Sequence, residues 1–302
     1  MPTRIARTVR LLSRFRVAPA ADASASQLDR RHACEQHGSY ELYLSKHHMA
    51  QCNAPFNAGI EMDRLSPPPL NTFADVAHAV DWALVTRRSV RAFLPTPVPR
   101  EHIEAILDVA RFSATGVNIQ PWHVHVVTGA TKSRLSAAIN EINDDPDRSS
   151  DLDEPYDYYP REWIAPYVDR RRAVGWNLYG LLGIEKGDKE RMHVQHGRNY
   201  NFFDAPVGLF FTVDRVMREG SLLDTGMFLQ SVMIAARARG LDTCPQAAFN
   251  KFHRVIANEL SIPDNQMLVC GMSLGYADHG CIENTLVTER SPVRDFTTFY
   301  NE

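Results

Sequence analysis

Apolar residues recur at helical spacing in several stretches of the chain. Phe73, Val76, Val80, Ala83 and Leu84 predict an amphipathic helix that starts after the extended run "SPPPLNT" at 66–72, where Asn71 or Thr72 can cap it. "VPREHIEAILDVAR" places Ile103, Ile106, Leu107 and Ala110 on one face of a second helix, and "TKSRLSAAIN" and "NKFHRVIANELSIP" predict two more. The longest helical stretch, "GSLLDTGMFLQSVMIAARARG", is apolar around most of its circumference until Arg237. That pattern predicts burial on all sides, in a large core or at a subunit interface. Strands are predicted at "WHVHVVTG", where His123 and His125 share a side, and at "APVGLFFTVD", "LDTCPQAAF" and "NQMLVCGMSLGYAD". A few strands separated by long helices define an α+β or α/β class, with one domain over residues 71–302.

Two regions interrupt this regularity. Residues 143–162, "NDDPDRSSDLDEPYDYYPRE", are acidic, turn-rich and aromatic, and a helical stretch with Trp163, Tyr167, Trp176 and Tyr179 follows, so residues 150–200 read as a lid-like excursion. The N-terminal extension, residues 1–70, opens with Arg4, Arg7, Arg10, Arg14 and Arg16 before its first acid, Asp22, and shows weak periodicity. It reads as a disordered basic arm, a transit-like peptide or an over-called gene start ahead of Met62.

Composition narrows the function classes. The chain has 302 residues and a formal net charge of −3, so nothing points to a nucleic-acid binder. No apolar run approaches the roughly 18 residues of a membrane span, so no membrane partner is expected. Five cysteines, Cys34, Cys52, Cys244, Cys270 and Cys281, are widely spread without a C-x-x-C pair, the usage of a reducing cytoplasm.

Two motifs promise chemistry that their context does not support. "GMSLG" at 271–275 matches the G-x-S-x-G nucleophile elbow, but a loop rather than a helix follows, and Ser273 lies inside a strand pattern. Cys34, His37, His48 and Cys52 have zinc-like spacing in a segment too poor in apolar residues to support a metal site. There is no G-x-G-x-x-G, Walker A or H-E-x-x-H motif. "RRSVRAF" at 87–93 crowds Arg87, Arg88 and Arg91 at a helix end. Such a cluster is either a solvated end favoured by the helix dipole or an anion site in which guanidinium forks and the Ser89 hydroxyl grip phosphate oxygens.

The ordered set "RRSVRAF", "NIQPWH", "CPQAAF", "GYAD" and "ERSP", running from about Ala74 to the C-terminus, resembles the nitroreductase family of FMN-dependent flavoproteins. "YDYYPREW", "RRRAVGWNLYGLLG" and "RNYNFFDAPVG" are similar to its nitrobenzoate-reductase-like branch, and "RRSVR" also resembles the iodotyrosine deiodinase branch. The resemblance implies a nitroreductase-like α+β fold, a central mixed β-sheet flanked by helices, in an intertwined homodimer with the flavin at the interface and the C-terminal tail wrapped on the partner. It implies that Arg87 and Ser89 serve the FMN phosphate and ribityl end, that Arg91 lies near the pyrimidine edge, and that Arg88 contributes through its backbone. Thr115 and Gly116 would flank the ligand and Asn118, Gln120 and Pro121 would form a second FMN loop. The turn Pro245, Gln246, Ala247, Ala248 would present a backbone N–H to flavin N5, and Arg290 would close on the phosphate. Thr288 stands where many relatives have lysine, which shifts phosphate affinity toward Arg87 and Arg290.

These residue types suit that task. A phosphate near two negative charges gains roughly 1.5–3 kcal/mol from each charge-assisted hydrogen bond, and a cation at the pyrimidine edge tunes the ring electronically. The implied activity is ping-pong transfer of hydride from NAD(P)H to a nitroaromatic such as a nitrobenzoate, through nitroso to hydroxylamine, with no catalytic side chain assigned. Reductive dehalogenation or quinone and enone reduction would use the same flavin, and a non-catalytic FMN sensor or store is the alternative of another class. Arg170, Arg171 and Arg172 would either greet an acidic substrate or form a solvated helical face. Cys244 reads as a small buried hydrophobe beside the flavin.

Overall fold

The computed structural model describes residues 73–150 and 152–300; the basic N-terminal segment and its Cys34, His37, His48 and Cys52 lie outside the described residues. The elements are α1 (Phe73–Thr86), α2 (Arg100–Ala110), β1 (Trp122–Thr128), α3 (Gly129–Asn143), α4 (Pro146–Ser150), α5 (Tyr167–Leu181), α6 (Lys189–Gly197), β2 (Val207–Asp214), α7 (Arg218–Arg237), β3 (Asp242–Gln246), α8 (His253–Leu260) and β4 (Gln266–Gly275). The strands form one sheet in the order β1-β2-β4-β3. All three pairings are antiparallel. The expected mixed character is therefore confined to the margin, where Ser89 makes a parallel bridge to Thr243.

Both faces of the sheet are covered, which is why β2 and β4 read as nearly unbroken apolar runs. Val207, Leu209 and Phe211 of β2, with Cys270, Met272 and Leu274 of β4, face Ile103 and Ile106 of α2 and Phe228 and Val232 of α7. Phe210 and Leu268 point the other way, toward Leu135 and Ile139 of α3 and Ile256 of α8. The 3-10 segments Arg198–Asp204 and Ala247–Phe252 add Tyr200, Phe202, Phe249 and Phe252 to this second core, with edge-to-face contacts such as Tyr200 on Phe252 at 4.8 Å. Edge-to-face geometry sets the positive ring edge against a π face and contributes beyond area burial.

The "GMSLG" stretch is explained by packing. It lies within β4, and Ser273 is fully buried, donating to Gln246 Oε1 at 2.6 Å. A Cβ on Gly271 would stand 2.4 Å from the Phe249 ring, and one on Gly275 would stand 2.7 Å from Pro206. The glycines admit neighbours and the serine ties two strands together.

Two helices depart from their sequence patterns. In α1 the buried side chains are Trp82, Ala83 and Thr86, while Val76, Val80 and Leu84 are exposed. In α7, Phe228, Val232 and Ala236 are buried, but Leu223 and Met227 face outward. Of the two expected settings for α7, a core that surrounds it is not what one protomer provides, since Leu223 and Met227 remain uncovered. The excursion between α4 and β2 contains α5 and α6. It is fastened at its start by Tyr156, whose hydroxyl donates to the Val269 carbonyl at 2.6 Å, and at its end by an ion pair of Arg198 with Glu283.

Candidate functional site

The helix α1 ends at Thr86, and residues 87–93 run extended beside β3. Val90 N–H donates to the Thr243 carbonyl at 3.1 Å, and Phe93 N–H to the Phe203 carbonyl at 3.1 Å. Extended backbone sends alternate side chains to opposite sides. Arg87, Ser89 and Arg91 therefore separate from Arg88, Val90 and Ala92. Arg88 turns inward, beside Thr86, Arg237, Asp242 and His279, and donates to the Asn284 carbonyl at 2.7 Å. Asn284 also accepts from Arg91 N–H at 2.8 Å and donates to the carbonyls of Ala92 and Asp278, both at 2.8 Å. One buried amide thus fixes the course of the whole arginine segment.

On the other side, Arg87, Ser89 and Arg91 adjoin Cys244, and Arg290 stands near Arg87. Burial, and then the Arg290 guanidinium, push the Arg87 pKa down. Among the described residues no carboxylate pairs with Arg87, Arg91 or Arg290, so the cluster is short of negative charge. An anion such as a phosphate monoester fits that deficit, because like charges held together in a partly desolvated site favour a bound counter-charge. Burial pushes the Cys244 thiol up to about 11 despite the pull of Arg91, Ser89 and Arg87, so it remains a protonated, inert side chain at neutral pH. Arg290 is itself steadied by Thr288, whose Oγ1 accepts from its Nη1 at 2.6 Å.

A cavity of about 270 Å³ adjoins the cluster. Its floor is Cys244, Pro245, Gln246, Ala247 and Ala248, where β3 gives way to a 3-10 segment whose leading N–H groups have no partner within it. Arg91 lines one end, and Tyr158, Tyr159, Tyr179, His196 and Asn199 of the excursion form the walls. Gln246 braces floor to wall: its amide nitrogen donates to the Asn199 carbonyl at 2.8 Å while its oxygen accepts from Ser273. None of His196, Asn199, Glu283 or Asn284 was singled out from the sequence.

The second predicted loop lies elsewhere. Thr115, Gly116, Asn118 and Gln120 are not on this cavity; Gly116 N–H donates to Asp224 Oδ2 at 3.2 Å, near the start of α7. The arginine segment belongs to the other end of that helix, where Arg237 donates to Thr86 Oγ1 at 3.0 Å. Thirteen residues of α-helix separate these anchors, a rise of roughly 20 Å. The loop is strained and projecting: Val117, Asn118 and Gln120 have φ of 43°, 63° and 49°, and Val117 is 96% exposed. Such backbone persists where surroundings or function hold it. One protomer therefore brings Arg87, Ser89, Arg91, Pro245, Gln246, Ala247 and Arg290 together and leaves Thr115, Gly116, Asn118 and Gln120 apart.

The lid arginines are also divided. Arg170 donates to Ser291 Oγ at 2.7 Å, beside Arg290, and Arg171 stacks over the Trp163 ring at 4.7 Å. His125 is engaged with Thr212 and Gln266, and His123 with Asp214, none of which lines the cavity. Among the described residues no three His, Cys, Asp or Glu side chains are placed to hold a metal, and no helix is long and apolar enough to cross a membrane.

A four-stranded antiparallel sheet between helical layers, with a guanidinium cluster beside a strand-to-turn floor, is the architecture of a flavin oxidoreductase. The chain belongs to the nitroreductase family, whose pattern it matches over residues 84–276. It is 42% identical over 219 residues to a 4-nitrobenzoate reductase of Pseudomonas putida, covering 72% of this chain and 94% of that protein. It is 39% identical to a chloronitrobenzene nitroreductase of Comamonas testosteroni, covering 74% and 97%. Among solved structures, the FMN-dependent nitroreductase NfnB of Mycobacterium smegmatis in complex with NADPH superposes with a TM-score of 0.71 at 28% identity, covering 75% of this chain and all of that one.

Proposed function

We propose that this chain is an FMN-dependent nitroreductase that draws hydride from NADPH and reduces nitroaromatic compounds, nitrobenzoates among them, as a cytoplasmic homodimer. The observation that supports this reading best is the set of Arg87, Arg91 and Arg290, without carboxylate partners among the described residues, beside the Pro245–Ala248 floor. Arg87, Ser89 and Arg290 would hold the FMN phosphate and ribityl chain, and Arg91 the pyrimidine edge. When bound, FMN supplies two-electron hydride chemistry to NADPH and the nitro compound in turn. The chain's own work would be to neutralise the phosphate, to offer a backbone N–H of the Pro245–Ala248 turn to flavin N5, and to exclude water with the aromatic walls of the 152–200 lid.

Dimerisation follows from what one protomer leaves open. Val76, Val80 and Leu84 of α1 and Leu223 and Met227 of α7 are exposed apolar residues on helices that otherwise pack inward. Phe296, Phe299 and Tyr300 at the C-terminal end are also exposed and suit a tail laid on a second copy. Such a copy can bring its Thr115, Gly116, Asn118 and Gln120 to the cofactor, completing what one chain separates. The test is a visible spectrum followed by anaerobic addition of NADPH and then 4-nitrobenzoate. A yellow protein that bleaches and recovers its colour with the nitro compound is expected. A colourless protein that takes up no added FMN would overturn the reading; one that binds FMN but does not bleach would be a flavin store.

A further inference from the structure

The cavity wall contains one imidazole, His196, at the end of α6. Its Nε2 lies 3.2 Å from the hydroxyl of Tyr200, which is fully buried and has no other hydrogen-bond partner among the described residues. A buried phenol donates to the acceptor it has. The neutral ring must then keep its own hydrogen on Nδ1. No protein acceptor for Nδ1–H is found among the described residues, and His196 is an exposed residue that lines the cavity.

Asn199, Tyr158 and Tyr159 are engaged with their neighbours. Asn199 Nδ2 donates to the His196 carbonyl at 2.9 Å, and its own carbonyl accepts from Gln246. Tyr158 and Tyr159 pack edge to face at 4.7 Å, and Tyr159 lies 5.4 Å from Trp163, which makes them an aromatic wall.

Reduction of a nitro group is aided by a hydrogen-bond donor at the oxygen that leaves. The nitro nitrogen gains two electrons as a hydride, one proton is taken up, one N–O bond breaks and oxygen leaves as water: ArNO2 + H⁻ + H⁺ → ArNO + H2O. The hydride comes from the reduced cofactor of the proposed activity and the proton from solvent. As hydride arrives, negative charge collects on the nitro oxygens, where a preorganised N–H is worth most.

We propose that His196, its tautomer set by Tyr200, hydrogen-bonds through Nδ1–H to the nitro oxygen that leaves as water. This deepens the nitroreductase reading and rests on it. His196 is exposed at the cavity, yet partial desolvation of its ring, followed by Lys251 and His193, lowers its pKa from the ordinary value, which favours the neutral ring. The groups that face it are Tyr200 and Lys251 behind the ring, His193 on its own helix with Asp144 as partner, and Arg91, Tyr158, Tyr159 and Tyr179 across the cavity. A neutral imidazole can act as an electrophile of this kind.

The test separates the two half-reactions by stopped flow. In His196→Leu, reoxidation by 4-nitrobenzoate should slow about 10²-fold, the usual cost of one such donor. Bleaching by NADPH, reoxidation by ferricyanide and the fluorescence-measured Kd for FMN should hold. His196→Asn, whose side-chain nitrogen sits close to the place of Nδ1, should recover much of the lost rate. Loss of both half-reactions together, loss of FMN, an unaffected nitrobenzoate step or no recovery with asparagine would each overturn the role. If the wild type itself does not pass electrons from NADPH to nitrobenzoate, the nitroreductase reading fails and takes this one with it.

Discussion

Asn284 spends all its hydrogen-bonding capacity on its neighbours: it receives Arg91 N–H and the Arg88 guanidinium and gives to Ala92 and Asp278. Asn284→Ala leaves two backbone carbonyls and one N–H without that partner, at about 1 kcal/mol for each bond lost and more where desolvated. We expect a thermal midpoint several degrees lower and a weaker FMN Kd, read by melting with and without added FMN. Arg87→Ala should leave the melting of the FMN-free protein nearly unchanged and weaken FMN by roughly 10–100-fold, as loss of one charge-assisted bond predicts. Arg87, Ser89 and Arg91 were legible as a crowded cationic cluster, and their cofactor roles came from the family resemblance of "RRSVRAF"; that they share one side of an extended stretch is visible only in the fold. Asn284 was not legible, since its partner Arg91 lies 193 residues away and an isolated asparagine in a turn-rich segment has no pattern. His196 and Asn199 share that obscurity: their meaning comes from Tyr200 and Gln246 behind them, and only the fold brings those together.

At the scale of elements, strands and helices were readable from apolar periodicity, but which face each helix buries was less so. The Val76, Val80, Leu84 stripe is as apolar as a core face, yet Trp82 and Thr86 turn inward, because Arg237 stacks on Trp82 at 4.6 Å and bonds Thr86. The apolar spacing marks a helix but does not say which face the chain itself buries. The excursion depends on its buried ion pair: Arg198→Ala would strand Glu283, whose side chain is only 7% exposed, at a cost of about 3 kcal/mol or more. Chemical denaturation should show it, with nitrobenzoate turnover falling further than FMN binding. On β1, burial pushes the His125 pKa below its ordinary value, outweighing its bond to Gln266 and reinforced by His123. The unfolded chain then binds more protons than the fold at mildly acid pH, so stability is complete above about pH 6.5 and declines as pH falls through the folded pKa. His125→Gln should flatten that decline in melts between pH 7 and 5.

For the whole molecule, the uncovered faces of α1 and α7 and the separation of the two predicted cofactor loops lead to the same expectation. Leu223→Asp with Met227→Asp should produce a monomer by sedimentation, and that monomer should lose its flavin as it dissociates, because each site would draw on both chains. Stable monomer with full flavin occupancy would contradict the interface.

If the Arg87 segment of one chain and the Gln120 loop of another serve one cofactor, as proposed, the roughly 20 Å between them along α7 has a genetic consequence. A chain crippled at Arg87 and a chain crippled at Gln120 should each be inactive alone, yet the two should rescue each other when co-expressed. In a mixed dimer both lesions can fall on the same site, leaving the other wholly built from intact parts. With random pairing, half the dimers are mixed, so about a quarter of all sites should work. Two dead alleles of one gene would then complement.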